Sequence, residues 1–535
     1  MTSQKLPERA NLEQLKKQAK SLLHAARAND PSALARFQAL PGFAGKSAAE
    51  LAGMNLALHD AQSAIAREYG FKSWNEMREY VEERSLTFDA AVNEFVRCAT
   101  GAAAPRAHRL LSRFPAIAHA SLYAELVLGD AEAVDARLRK NPEAALTAGG
   151  VQNWEPLLYV CHSFLRHDSE ERAQGLVAIA RGLLARGANP NAEYHWDWHP
   201  ELPRTALWGA LIATNHFPLA EVLLEAGANP TDGVSTHIAA GSGNLAALEL
   251  LNRFHVNPNG IPGGVPPLRH ILGWAANLEP RVASIRWLME HGADTNLSWG
   301  PLNEAPIHVA AERWDVPMIE LLVRYGADIH RRRADGRTAH TLAELNGNRE
   351  IAAWLLAHGA KDERSPLESF VSACAAGDRA QADAMLRAHP NLRGELRNEH
   401  HLRMHGPASR GDVQVLETML DCGFDPNAKD NERVTALHRA AMAGRVDAAR
   451  VLLAHGADVN ALDGMFSATP LVWATEGWKH DPKPAGVDHV GVARVLIAAG
   501  SSQEWIPPEK APDAEGTQES LIELCRAAAA PQTGR

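Results

Sequence analysis

"TALHRAAMAGRVDAARVLLAHGADVN", Thr435 to Asn460, reads as two short helices and a stop. Thr435 is a good N-cap, because a side-chain oxygen there satisfies a free backbone N–H of the first turn. Leu437, Ala440 and Ala441 form a narrow apolar stripe, small enough for close helix packing. Leu452 and Leu453 belong to a second helix, and Gly456 stands where a left-handed C-cap would end it. A helix pair this short cannot bury its own apolar face. It needs neighbours of the same kind, stacked against it.

Those neighbours are present. The second-helix phrase recurs as "LLARGANPN" (183–191), "LLEAGANP" (223–230), "LMEHGADTN" (288–296), "LLVRYGAD" (321–328) and "LLAHGA" (355–360). Weaker copies are "LNRFHVNPN" (251–259), "MLDCGFDPN" (419–427) and "LIAAG" (496–500). Gly292, Gly326 and Gly359 are spaced by 34 and 33 residues, and Gly423 and Gly456 by 33. A first-helix phrase precedes each by about 15 residues, a fixed period of the kind that marks repeat architectures. Its copies include "EPLLYVCHS" (155–163), "TALWGALIA" (205–213), "APIHVAAER" (305–313) and "TPLVWATEG" (469–477), with Pro156, Pro306 and Pro470 at a first-turn position.

With both phrases in place, Thr435 to Asn460 resembles an ankyrin repeat nearly end to end. The resemblance implies an all-α solenoid of helix-turn-helix repeats with short finger loops between them. Variants with "HP", "FP" or "NP" in place of the glycine phrase (368–392, 109–118 and 136–145) extend the array back to about residue 88. The expected organisation is an N-terminal helical module over 1–86, an array of about twelve repeats over 87–505, and a Pro/Ala-rich tail over 506–535. A short tail helix, Gln518 to Ala530, is expected to cap the open end of the stack. The first segment, "NLEQLKKQAKSLLHAARANDP", places Leu12, Leu15, Ala19, Leu22, Leu23 and Ala26 on one helical face. It resembles a helical module found ahead of ankyrin arrays in some bacterial proteins, and an N-terminal cap is its plainest role.

Composition narrows the function classes. Lys and Arg total 54 against 64 Asp and Glu, for a net charge of −10, a poor balance for general phosphate binding. The local basic run "HRRRADGR" (330–337) is expected to be a solvated loop. Five widely spaced cysteines without a C-x-x-C pair point to neither a disulfide framework nor a cysteine zinc site. No signal-peptide core and no long apolar run are visible, so a cytoplasmic protein without a membrane span is expected. Phosphate-loop, nucleophile-elbow and dinucleotide fingerprints are missing, and the glycine-rich "GIPGGVPP" (260–267) is flanked by prolines and sits at a finger.

Two histidine-rich stretches invite a chemical reading. In "YHWDWH" (194–199), an extended backbone would put His195, Asp197 and His199 on one face and Trp196 and Trp198 on the other. The two histidines would then be about 13 Å apart, too far to share a metal without a sharp turn. Exposed Trp and His on a finger fit partner recognition better. In "EHHLRMH" (399–405), His401 and His405 would lie one helical turn apart, but no H-E-x-x-H is present. Neither a metal nor any other cofactor is expected.

In the ankyrin family the histidine of the first-helix phrase bonds a neighbouring loop, so His237, His308 and His438 are expected to be structural. Trp208 and Leu158 replace it in their repeats. The positions that would face a partner are Tyr159, His162, His270, Trp274, Glu312, Arg313, Arg439, Met442, Trp473 and Glu476, joined by His195, Trp196, Asp197, Trp198 and His199 of the finger. The expected function is a monomeric, non-catalytic scaffold binding a protein partner on the concave face, with no nucleic-acid role. The alternative is an enzyme or small-molecule binder in which His162, His195, Asp197, His199 and His270 converge in one pocket.

Overall fold

The computed structural model describes residues 6–529, apart from 8–9, 41–42, 44, 55, 57, 102, 197–198, 274–278, 480–485, 504, 506–516, 518–519, 522–523 and 526–527. Helices dominate, as expected, with one β-hairpin among the described residues, of strands β1 (Glu193–Trp196) and β2 (His199–Thr205). The molecule divides into two compact units, Met1–Asp294 and Thr295–Arg535.

In the first unit the leading helices, beginning with Leu12–Arg27, enclose a core of their own. Leu15, Ala19, Leu22, Phe37, Ile65 and Met77 are at most 3% exposed there. Asn11, Asp30 and Ser47 cap the helices that follow them with side-chain oxygens.

Repeat helices follow in pairs, such as Pro306–Arg313 with Val316–Arg324 and Ala436–Met442 with Val446–Ala454. Within each unit two polar devices join some successive pairs, and both reside in the recurring phrases. The asparagine ending "GADxN" reaches forward one repeat. Asn427 donates to the Gly456 carbonyl (2.9 Å) and accepts from the Asp458 N–H (2.7 Å). Asn460 does the same with Gly500 and Ser502, and Asn296 with Gly326 and Asp328. The first-helix histidine is the second device. His308 accepts from the Ala305 N–H through Nδ1 (3.0 Å) and donates from Nε2 to the Arg331 carbonyl (2.9 Å). His438 spans Thr435 and Ala468 in the same way, and His237 reaches Val265. The structural role expected for all three is what is seen. At Thr435 the detail differs, since its hydroxyl meets His438 Nδ1 (2.8 Å) instead of capping the helix by itself.

Gly456 has φ +86°, and a Cβ there would meet nothing within 4 Å. Glycine is required by backbone conformation alone, not by space. Gly456→Ala should therefore cost about 1–2 kcal/mol, the penalty of forcing an L-residue into the left-handed region. Urea unfolding by circular dichroism measures it, and no change would show that the C-cap conformation is not limiting. In the weaker copy, His255 holds the same place at φ +62°.

Fingers join in succession through backbone bonds: Ala334 N–H donates to the Leu302 carbonyl (2.8 Å) and Gly464 N–H to the Glu432 carbonyl (2.7 Å). At the far end, the described tail residues Leu521, Leu524 and Ala528 are buried in the core of the last repeats.

Candidate functional site

In the second unit the basic run 330–337 is not the solvated loop that its composition suggests. An Arg333 N–H bond to the Arg337 carbonyl (2.9 Å) and a left-handed Gly336 (φ +83°) fold it into a tight finger. Arg333 and Arg337 turn inward and are only 6% and 12% exposed. Four acids accept hydrogen bonds from them. Arg333 donates to Asp335 from Nε (3.2 Å) and Nη2 (2.5 Å), and to Glu304 from Nη1 (3.2 Å). Arg337 donates to Glu368 (2.9 Å) and Glu399 (2.9 Å). Burial by itself would pull the Arg337 pKa down, but these carboxylates outweigh it and hold it above the ordinary value.

Glu399 comes from a finger built of short helices. Between helices Arg379–Ala388 and His405–Arg410 lie two short helices, Leu392–Glu395 and Asn398–His401, and a 3-10 turn, Leu402–Met404. His400, 3% exposed, ties this segment down by accepting the Arg397 N–H through Nδ1 (3.0 Å). The helical finger so formed carries Arg403 to Glu312, 91 residues away in sequence, with Nη1 3.5 Å from the carboxylate. Arg403 is 14% exposed. Its pKa is lowered, first by burial; Glu312 opposes this, and the charges of Arg337 and Arg333 add to it.

Along the same unit Arg439 pairs with Asp430 (3.3 Å) and lies over the Trp473 ring (5.5 Å). Trp473 donates from Nε1 to Asp463 (2.7 Å). Burial pushes the His405 imidazole down to about 4. His401 accepts the Asp425 N–H through Nδ1 (3.2 Å).

The expected partner-facing residues divide. Arg313 and Met442 are exposed; Glu312, Arg439, Trp473 and Glu476 are half-buried, and Glu476 accepts from Thr517 of the tail (2.5 Å). Tyr159 and His162 require correction, since they are 0% and 1% exposed. All of helix Pro156–Cys161 is buried, because aromatic groups cover the face that periodicity left open. Tyr159 donates to the Gly149 carbonyl (2.8 Å), and its ring meets Tyr123 (4.9 Å) and Trp154 (5.4 Å). Tyr194 of β1 stacks on Trp154 (4.1 Å) and edges onto His162 (5.2 Å). Trp208 completes the cluster at 5.8 Å, and Gly209 backs the His162 ring so closely that a Cβ would lie 2.4 Å from it. Burial brings His162 down to about 4.

The finger 193–205 is not one extended strand either. Strands β1 and β2 pair antiparallel with Trp196 opposite His199, so His195 and His199 stand on different strands instead of along one. His195 is exposed, 3.5 Å from Glu193. Asp197, Trp198 and Trp274 lie outside the described residues, as do the side chains of Trp196 and His199. His270 edges onto His237 (5.1 Å), while His162 belongs to the Trp154–Tyr194–Trp208 cluster, so the two share no ring cluster among the described residues. Among those residues no three His, Cys, Asp or Glu are placed to hold a metal ion. No described helix is long and apolar enough to cross a membrane.

Sequence reading missed Arg403, Arg333, Arg337 and Glu399 as one cluster. The only signal was the departure of 392–404 from the repeat phrase.

Comparison with known proteins agrees with the geometry. Residues 272–365 and 404–502 match the family model for ankyrin repeats (3 copies). Palmitoyltransferase Hip14 of Drosophila melanogaster is 37% identical over 91 residues, 17% of this chain and 13% of that protein. Human SH3 and multiple ankyrin repeat domains protein 2 is 31% identical over 195 residues, 36% of this chain and 10% of that protein. Mouse Rabankyrin-5 is 26% identical over 165 residues, 30% of this chain and 14% of that protein. The match therefore spans a small part of the length of these relatives. The human ASB11 ankyrin repeat domain aligns with 45% of this chain and 99% of its own at 25% identity and a TM-score of 0.32. Matched in two stretches and built from helix pairs clamped by the asparagine and histidine of the repeat phrases, the molecule is an all-α protein that carries ankyrin repeats.

Proposed function

We propose that the protein is a non-catalytic interaction scaffold that binds a protein partner through its fingers and first helices, as a cytoplasmic monomer. The N-terminal module, of a kind placed ahead of ankyrin arrays in some bacterial proteins, serves as a cap. One observation carries the reading. In the second unit the fingers hold large apolar side chains out to solvent: Leu302 is 41% exposed, Leu462 42% and Met465 54%. Met442 on a first helix is 39% exposed. Apolar groups held on fingers that are hydrogen-bonded to one another mark an interaction face, because the frame loses little freedom on binding.

The test compares Leu302→Asp with Met465→Asp, combined, against Leu356→Asp. Leu356 is 43% exposed on a second helix and serves as a control of equal apolarity. Immobilised full-length protein is exposed to lysate and bound proteins are quantified by mass spectrometry. A stoichiometric partner retained by wild type and by Leu356→Asp, and lost with the finger pair, is the expected result. Retention that is equal for all three sinks the reading.

A further inference from the structure

We propose that Arg403 anchors a carboxylate of the protein partner, gripped side-on by its Nε–H and Nη2–H. The inference rests on the interaction reading and names the chemistry of one contact within it.

The Nε/Nη2 edge of a guanidinium is a fork that matches the two oxygens of a carboxylate. At three other arginines of this protein that fork is filled by one carboxylate from within. Glu68 fills Arg36 (2.6 and 2.7 Å), Asp335 fills Arg333 (3.2 and 2.5 Å) and Asp362 fills Arg364 (2.8 and 2.7 Å). Arg403 differs. Its contact is through Nη1, to Glu312 at 3.5 Å, and no described residue meets its fork. At 14% exposure the side chain has lost most of its water as well. A desolvated, half-paired cation is costly, and an incoming carboxylate would restore the missing bonds.

The surroundings select the ligand. Arg333 and Arg337 lie close enough to lower the Arg403 pKa by charge and add a positive field. Glu399 cannot fill the fork because Arg337 holds it (2.9 and 3.5 Å). Glu312 and Glu399 next to the site oppose a second negative charge. An isolated carboxylate fits this balance better than a phosphate dianion. On a partner protein it comes from an Asp or Glu side group or from the terminal carboxylate.

The first experiment uses the full-length protein with 15N-labelled arginine, in which the Arg403 Nε–H signal is assigned by its loss in Arg403→Lys. Sodium acetate is titrated against sodium chloride and phosphate at matched ionic strength. The expected result is a saturable acetate shift of that signal, absent with chloride and weaker with phosphate. Glu312→Gln, which removes a competing anion, should tighten acetate; Arg403→Gln, checked for fold by circular dichroism, should abolish it. A merely structural pair would not give opposite signs. An acetate response equal to that of chloride overturns the proposal.

The second arm selects displayed random peptides on wild type, with free and with amidated C-termini. Loss on amidation identifies a terminal carboxylate; loss on Asp→Asn or Glu→Gln identifies a side group. Either peptide class should weaken about tenfold or more with Arg403→Gln. Peptides that bind Arg403→Gln as tightly as wild type, yet fail on the Leu302/Met465 variant, overturn the Arg403 assignment and leave the scaffold reading standing. Acetate binding with no peptide sensitive to either site overturns both.

Discussion

Acidification from about pH 7 to about pH 4.5 should destabilise the protein strongly, and His162 should account for about 2.5 kcal/mol of that loss. The imidazole is 1% exposed and burial holds its pKa down to about 4, against 6.5 in the unfolded state. Above 6.5 neither state binds the proton, and His162 makes no difference to stability. Below it the unfolded state takes up a proton that the folded state refuses. Stability therefore falls as pH drops from 6.5 towards 4 and levels off below that. His270 in the same unit and His405 in the second are also held down to about 4 by burial, so both units should respond. Urea unfolding at several pH values, followed by circular dichroism, gives the slope. His162→Gln should be less stable at neutral pH, because it disturbs the ring cluster, but should lose about 2.5 kcal/mol less on acidification. Parallel curves for wild type and variant would refute the assignment.

Leu452→Ala should cost about 2–5 kcal/mol, because Leu452 is 0% exposed in the second unit's core and its removal leaves a cavity between stacked repeats. Leu453→Ala, one residue on and only half-buried, should cost less than half as much. Because neighbouring repeats share their core, the loss should extend to the amides of helix Ala436–Met442 and helix Pro470–Lys479. Hydrogen exchange reads this directly. An effect confined to helix Val446–Ala454 would refute the shared core.

Much of the fold was legible because its signals are local and repeated. A left-handed glycine, an asparagine a few residues later and a histidine at the first helix recur together, and each has one physical task. The candidate site was less legible. Met442 and Arg313, at first-helix register positions, are exposed. Tyr159 and His162 occupy partner-facing register positions and are nevertheless buried, because Tyr123 and Trp154 pack on the first and Trp154 and Tyr194 of the finger 193–205 on the second. Register specifies which way a side group points. It does not specify what comes to lie on top of it.

The sequence by itself determined the helix pairs, their glycine stops and the clamps between repeats, since these depend on residues at fixed, short separations. Tertiary structure alone decided the use of the charges. Nothing in "HRRRADGR" indicates that Arg333 and Arg337 are buried, and nothing in residues 392–404 indicates that Arg403 will meet Glu312. Ion pairing depends on distance in space, and a helical finger brings together charges that lie 91 residues apart in sequence.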